Sequence, residues 1–289
     1  MFEMPGATTP SIDQSTGEMT RQEAERQLAE LGNVPDDRFP LFEAALLCAI
    51  HEDPTRDHDE ARQLANEAAE RLSVRLKQES PEEALAEALA GDLRLTGDVL
   101  TYDDPGNADI ISVCERRKGL PVALGVLYID AARRCELPVQ GVDFPGHFLL
   151  RIETEEGPLA LDPFSEGRVV LPSELIRRAL RAGLMPDVAD RLDVLMAPVK
   201  DRLVVMRLEN NIYARASRAG DHARAERSAL RRALLDPADH RPWIDVAAAR
   251  EGQGALVGAQ EALARAQMLD GGAAIAARAA RERVRMKLN

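Results

Sequence analysis

One stretch constrains this chain more than any other: "LPVALGVLYIDAARRCELP", residues 120–138. Its spacing predicts a helix, and Val122, Leu124, Val126, Leu127, Ile129 and Ala132 spread apolar surface around nearly the whole circumference. A helix that is apolar on all sides has to be covered on all sides. Pro121 fits the first turn, where a missing N–H costs nothing. The fold must therefore wrap this segment, and the neighbouring sequence supplies the wrapping. From Thr20 to about Ala90 the pattern is helical. "FPLFEAALLCAIHED" sets Phe42, Ala45, Leu46 and Ile50 on one face, and "DEARQLANEAAERLSVRLKQE" repeats its apolar positions at three and four residues. Cys48, inside the first of these, reads as a small core residue. "LTYDDPGNADI" (100–110) has the turn residues of a loop. "ISVCERRKG" (111–119) reads as a short helix closed by Gly119.

After Pro138 the period shortens. "PVQGV", "HFLLRI" and "PLALD" read as strands, with "ETEEG" turning between the last two. If Ile152 pairs with Gly157, His147 falls opposite Asp162 on one face. Directly opposed side chains have Cβ atoms about 4.5–5.5 Å apart. Helices resume from about Leu171. The expected fold class is therefore α+β, a helix-rich chain around a small antiparallel sheet.

The bulk composition narrows the function classes. The chain has 289 residues, 45% hydrophobic and 30% charged, the profile of a globular protein. Its net charge of −12 argues against nucleic acid and against anionic membrane surfaces. No apolar run approaches the roughly 18 residues of a spanning helix. "MFEMPGATTPSID" has neither the basic start nor the apolar centre of a secretory signal. Three sparse cysteines, Cys48, Cys114 and Cys135, fit free thiols in a reducing cytoplasm. Their spacing matches no zinc pattern and the five histidines are scattered, so neither metal nor cofactor is expected. Residues 1–20, rich in Gly, Pro, Ser and Thr, are expected to be disordered.

The last third repeats itself. "AGDHARAERSALRRALLDP" and "QGALVGAQEALARAQMLDG" align at a 34-residue offset, matching Gly220 with Gly254, Ala225 with Ala259, Leu235 with Leu269 and Asp236 with Asp270. That is the period of the tetratricopeptide repeat (TPR). "HRPWIDVA" places Trp243 and Val246 at the spacing of that motif, with Ala247 where glycine is usual. Trp243 is either a core residue or part of a binding surface. Two repeats do not make a stable solenoid alone, so they are expected to pack on the preceding domain.

A buried helix followed by a sheet offering His and then Asp has a known use. In papain-like sites a cysteine at the helix N-terminus is activated by the helix dipole and the neighbouring imidazole, which the aspartate holds. "ERRKGLPVALGVLYIDAARRCELPVQGVDFPGHFLLRI" followed by "LALDPF" resembles the transglutaminase-like domain of the bacterial SirB-type family, over roughly residues 22–270. That family couples the domain to a TPR tail, and the domain also occurs in an F-box protein. The resemblance implies a helical subdomain over about 21–98, a transglutaminase-like (papain-like) core over about 99–196, and an all-α TPR-like tail over 197–289. In active transglutaminase-like hydrolases a cysteine opens the helix about 17 residues before the "GIP" that corresponds to "ELP" here. Counting back from Pro138 puts Pro121 in that place. The resemblance thus implies His147 and Asp162 as a relict dyad without its nucleophile.

Other residues compete for these roles. Cys114, seven residues before Pro121, is the one alternative thiol. Cys135 stands fourteen residues on, about 20 Å along the helix. Ser165 and Ser173 follow Asp162, but nothing puts either at the helix start. Arg116 or Arg117 could approach Asp143 or Asp162, or line a solvated face. Two ligands, His147 and Asp162, are too few for a metal site. The expectation is a cytoplasmic scaffold or regulator without catalysis, engaging a protein or peptide through its tail. The alternative is a cysteine-type amide or ester hydrolase or acyltransferase using Cys114 with His147 and Asp162.

Overall fold

The computed structural model describes residues 19–269, 280–282 and 284. At its centre lies α6 (Pro121–Arg134), with every residue from Pro121 to Ile129 buried, and Ala131 and Ala132 as well. Pro121 occupies the first turn. The helices α1 (Arg21–Gly32), α2 (Leu41–Glu52) and α3 (Asp59–Arg75) precede it. Next come α4 (Pro81–Ala86), which runs on into a π-helical turn over 87–92, and α5 (Ile110–Arg116). Both α2 and α3 pack directly on α6. Phe42, Ala45, Leu46, Cys48 and Ile50 are all buried in α2. The loop between α4 and α5 carries strand β1 (Thr96–Gly97), which pairs in parallel with β2 (Lys118–Gly119) just ahead of α6.

The short helix before α6 ends earlier than its sequence suggests. Arg117, in the left-handed region at φ 59°, terminates α5, and Gly119 instead lies in β2. Gly119 is needed there for space: a Cβ would come within 2.8 Å of Val113.

The four-stranded sheet has the order β3 (Val139–Val142), β4 (Leu149–Thr154), β5 (Gly157–Asp162), β6 (Arg168–Val170), all neighbours antiparallel. Strand β6 is not foreshadowed by the sequence pattern, which predicts only helices from about Leu171. Three residues of "RVV" are too short a run for a period to show. The β4–β5 register differs from the expected one by two residues: Thr154, not Ile152, pairs with Gly157, and Leu150 faces Leu161. The turn is tighter than "ETEEG" implied, because β4 continues through Thr154, whose Oγ1 bonds the Gly157 carbonyl at 2.7 Å. A shift of two residues keeps every side chain on its expected face.

Beyond the sheet, α7 (Pro172–Arg181) and the short α8 (Pro186–Ala189) and α9 (Leu192–Leu195) close a small apolar cluster against it. Then α10 (Asp201–Ala219), α11 (His222–Leu235), α12 (Arg241–Gly252) and α13 (Leu256–Leu269) pack each on the next. Gly220 and Gly254, matched by the 34-residue offset, both take left-handed φ values, 72° and 77°. Ala225 and Ala259 are both buried, whereas Leu235 is buried and Leu269 half-exposed. Asp270 lies outside the described residues, as does most of the stretch 1–20. Val204, Leu208 and Ile212 of α10 and Leu235 of α11 join the main apolar core, whereas α12 and α13 form a second cluster with α11.

Candidate functional site

The chain after β3 turns at Pro145–Gly146, with Gly146 at φ 72°, and presents His147 just before β4. The His147 amide donates to the Phe144 carbonyl at 2.9 Å, and its carbonyl accepts from Arg207 Nη2 at 3.2 Å. Arg207 also pairs with Asp143. The backbone of this turn is thus held from both sides. Asp162 ends β5 and caps the 3-10 turn Pro163–Ser165. His147 Nε2 and Asp162 Oδ1 are 2.9 Å apart, with the aspartate 1% and the imidazole 21% exposed. The two are joined although the two-residue register shift removes them from direct opposition. His147 stands outside the ladder, and the imidazole reaches diagonally across.

Asp162 has further partners. Oδ1 also accepts from the Phe164 amide at 3.1 Å, and Oδ2 accepts from Ser165 Oγ at 3.1 Å and Arg178 Nη1 at 2.9 Å. Four bonds fill the acceptor capacity of one carboxylate. Burial pushes its pKa up, but the bonds and charges of His147 and Arg178 outweigh that and hold it at about 2. An ionised carboxylate only accepts, so His147 Nε2 donates. Among the described residues Nδ1 has no hydrogen-bond partner. Phe164 meets His147 edge-on at 6.3 Å between centroids, and Tyr102 meets Phe164 in the same way at 5.7 Å. Gly97 is required beneath them, since a Cβ there would strike Phe164 at 2.5 Å.

Arg178 was not legible as a site residue. It lies sixteen residues past Asp162 on an amphipathic helix rich in arginine. It is set by Glu174 one turn earlier, at 2.8 Å, and Glu174 in turn bridges to Arg168 at 2.7 Å. Ser165 belongs to the site as a hydrogen-bond donor to Asp162. Arg116 and Arg117 approach neither Asp143 nor Asp162. Arg116 bonds Asp98 at 2.9 Å, and Arg117 lies 3.9 Å from Glu60, because α5 points them toward the 98–104 loop and α3.

Cys114 is fully buried in α5, and burial pushes its thiol up to about 12. Such a thiol is protonated at neutral pH, which is the reverse of what activation requires. It makes no hydrogen bond to His147. Cys48 is likewise raised by burial. Cys135 follows α6 and bonds the Ala69 carbonyl at 3.4 Å. Trp243 is buried in the α11–α13 core, with the Arg265 guanidinium 4.2 Å from its ring centroid. Among the described residues no group of three or more His, Cys, Asp or Glu could hold a metal ion, and no helix is long and apolar enough to cross a membrane.

A family model described as the transglutaminase-like superfamily matches residues 57–210, which include His147, Asp162 and Arg178. A UPF0162 protein of Xylella fastidiosa (strain 9a5c) is 34% identical over 213 residues, covering 72% of this chain and 75% of that protein. A UPF0162 protein of Pseudomonas aeruginosa is 28% identical over 208 residues, 69% of this chain and 74% of that one. Human F-box only protein 21 is 30% identical over 100 residues, 32% of this chain and 16% of its own length. No solved structure matches.

Proposed function

Since the chain belongs to the transglutaminase-like superfamily, we propose that it is a non-catalytic member, a cytoplasmic scaffold or regulator that engages a protein or peptide. In this reading Pro121 stands where an active relative carries its cysteine. The observation that carries the reading is the first turn of α6, which offers no thiol. The saturated state of Asp162 supports it: Arg178 holds one carboxylate oxygen while His147 takes the other. The four-bonded aspartate then serves as a clamp between the sheet and α7. The helices from α10 onward are read as a TPR-like tail of the SirB-type arrangement, on the strength of the 34-residue offset and the paired left-handed glycines. Division at about residues 98 and 196 belongs to the same proposal.

The experiment is thiol labelling of the native protein with iodoacetamide at pH 7. Slow labelling of all three cysteines, no faster than a free thiol, is the expected result. A single thiol that labels much faster, and loses that rate in His147→Ala, would overturn the reading. It would favour instead a hydrolase or acyltransferase acting through Cys114. The observation on the side of that alternative is the intact His147–Asp162 contact at 2.9 Å.

A further inference from the structure

Away from His147, a groove of about 320 Å³ opens between the loop 103–108 and the junction of α10 with α11. Pro105, Ala108 and Ile212 give it an apolar side, and Arg215, Arg218 and Arg224 bring three guanidinium groups to it. The volume lies at the lower end of the range for small-molecule sites.

These arginines are only weakly paired. In a chain of net charge −12, many arginines meet carboxylates closely, as Arg178, Arg227 and Arg232 do at 2.6–2.9 Å. In the groove, Arg215 stands 3.6 Å from the exposed Asp103, and Arg224 stands 3.9 Å from Glu52, which has closer partners in Arg227 and Arg231. Arg215 Nη1 donates to Asn211 Oδ1 at 3.0 Å, but Arg224 Nη2 reaches the Pro105 carbonyl only at 3.5 Å, and Arg215 Nη2 reaches the Tyr102 carbonyl only at 3.5 Å. Arg218 bonds one backbone carbonyl of its own helix, Ala214, and no carboxylate among the described residues. The Nε atoms of Arg215 and Arg224 are buried without an acceptor. The second acid of the groove, Asp221, is committed to capping α11, where Oδ1 accepts from the Arg224 amide at 3.0 Å. Three cations with unspent donors thus face one loosely held carboxylate, that of Asp103.

We propose that this groove is a binding site for a small oxyanion carried on an apolar stem, a carboxylate or a phosphate ester. Guanidinium groups pair with either anion through parallel N–H bonds, and the apolar wall takes the stem. The incoming anion displaces Asp103 from Arg215. The site is separate from the His147 pair and does not depend on whether the protein is catalytic.

The test is isothermal titration calorimetry on the full chain, with phenyl phosphate and phenylacetate as the two probes. Saturable one-to-one binding of either, at about 1 mM or tighter, is expected, and the probe that binds identifies the source of the oxyanion. Arg218→Ala should weaken that probe at least ten-fold. Arg218→Gln, with circular dichroism on both, guards against loss of fold. Asp103→Asn, which removes the competing carboxylate, should tighten it. Arg191→Ala, on the exposed Arg191–Asp193 pair outside the groove, should leave affinity unchanged. Failure of both probes to saturate overturns the proposal. So does an equal loss in Arg218→Ala and Arg191→Ala, which would reduce the effect to general charge.

Discussion

Replacing Arg231 by methionine removes the centre of a deeply buried charge cluster. Arg231 and Glu209 are each 1% exposed and meet through Nε and Oε2 at 2.9 Å. Ser228 Oγ adds a bond to the same carboxylate oxygen at 2.8 Å. Arg231 Nη1 also reaches Glu52 Oε2 at 2.9 Å and His51 Nδ1 at 3.2 Å, tying α11 to the C-terminal end of α2. Without Arg231, Glu209 is left as a buried anion bonded by the neutral Ser228 hydroxyl. Breaking a buried pair from one side costs about 3–5 kcal/mol. Glu52 suffers less, since Arg227 still holds it at 2.6 Å. The double variant Arg231→Met with Glu209→Leu removes both charges together and should recover most of that loss, since well-packed apolar replacements of buried pairs are about neutral. The assay is urea unfolding of the wild type, both single variants and the double. Circular dichroism follows the helices, and Trp243, the only tryptophan, follows the α11–α13 core by fluorescence. A single-variant cost below about 1 kcal/mol, or a double variant equal to the sum of the singles, would refute the argument.

Three further outcomes follow from the same geometry. Burial, and then the charge of Arg231, hold His51 neutral with a pKa near 4. A group whose folded pKa lies below its free value of 6.5 contributes stability that is present above pH 6.5 and lost as pH falls toward 4. The unfolding free energy should drop by about 3 kcal/mol across that window, and His51→Gln should flatten the slope. Asp162→Asn removes the buried partner of Arg178, which Glu174 still holds at 2.8 Å, and should cost about 1–3 kcal/mol in urea unfolding; no measurable cost would mean that the clamp carries no stability. Gly125→Ala places a Cβ inside contact distance of Phe148 Cε1, in a fully buried part of α6. It should destabilise by about 1–3 kcal/mol, read as a fall in thermal midpoint.

Local pattern determined a good deal of this protein. The apolar circumference of 121–134 required a central helix, and α6 is that helix. Alternation after Pro138 placed β3, β4 and β5, and the turn residues of 100–110 placed the loop. These features depend on residues a few positions apart, so a window of sequence contains their cause. The union of His147 with Asp162 was legible too, because a hairpin brings its own two strands together, and the face survived the wrong register. What tertiary structure alone decided is who else is present. Arg178 reaches Asp162 because α7 docks over the end of the sheet, and Arg231 reaches Glu52 because α11 lies on α2 across 179 residues of chain. Packing of distant elements also buries Cys114 and Trp243 and brings Arg215, Arg218 and Arg224 to face a loop more than a hundred residues earlier. A side chain's sequence states its charge and size. Its burial, and hence its pKa and its chemistry, is set by which distant element comes to lie against it.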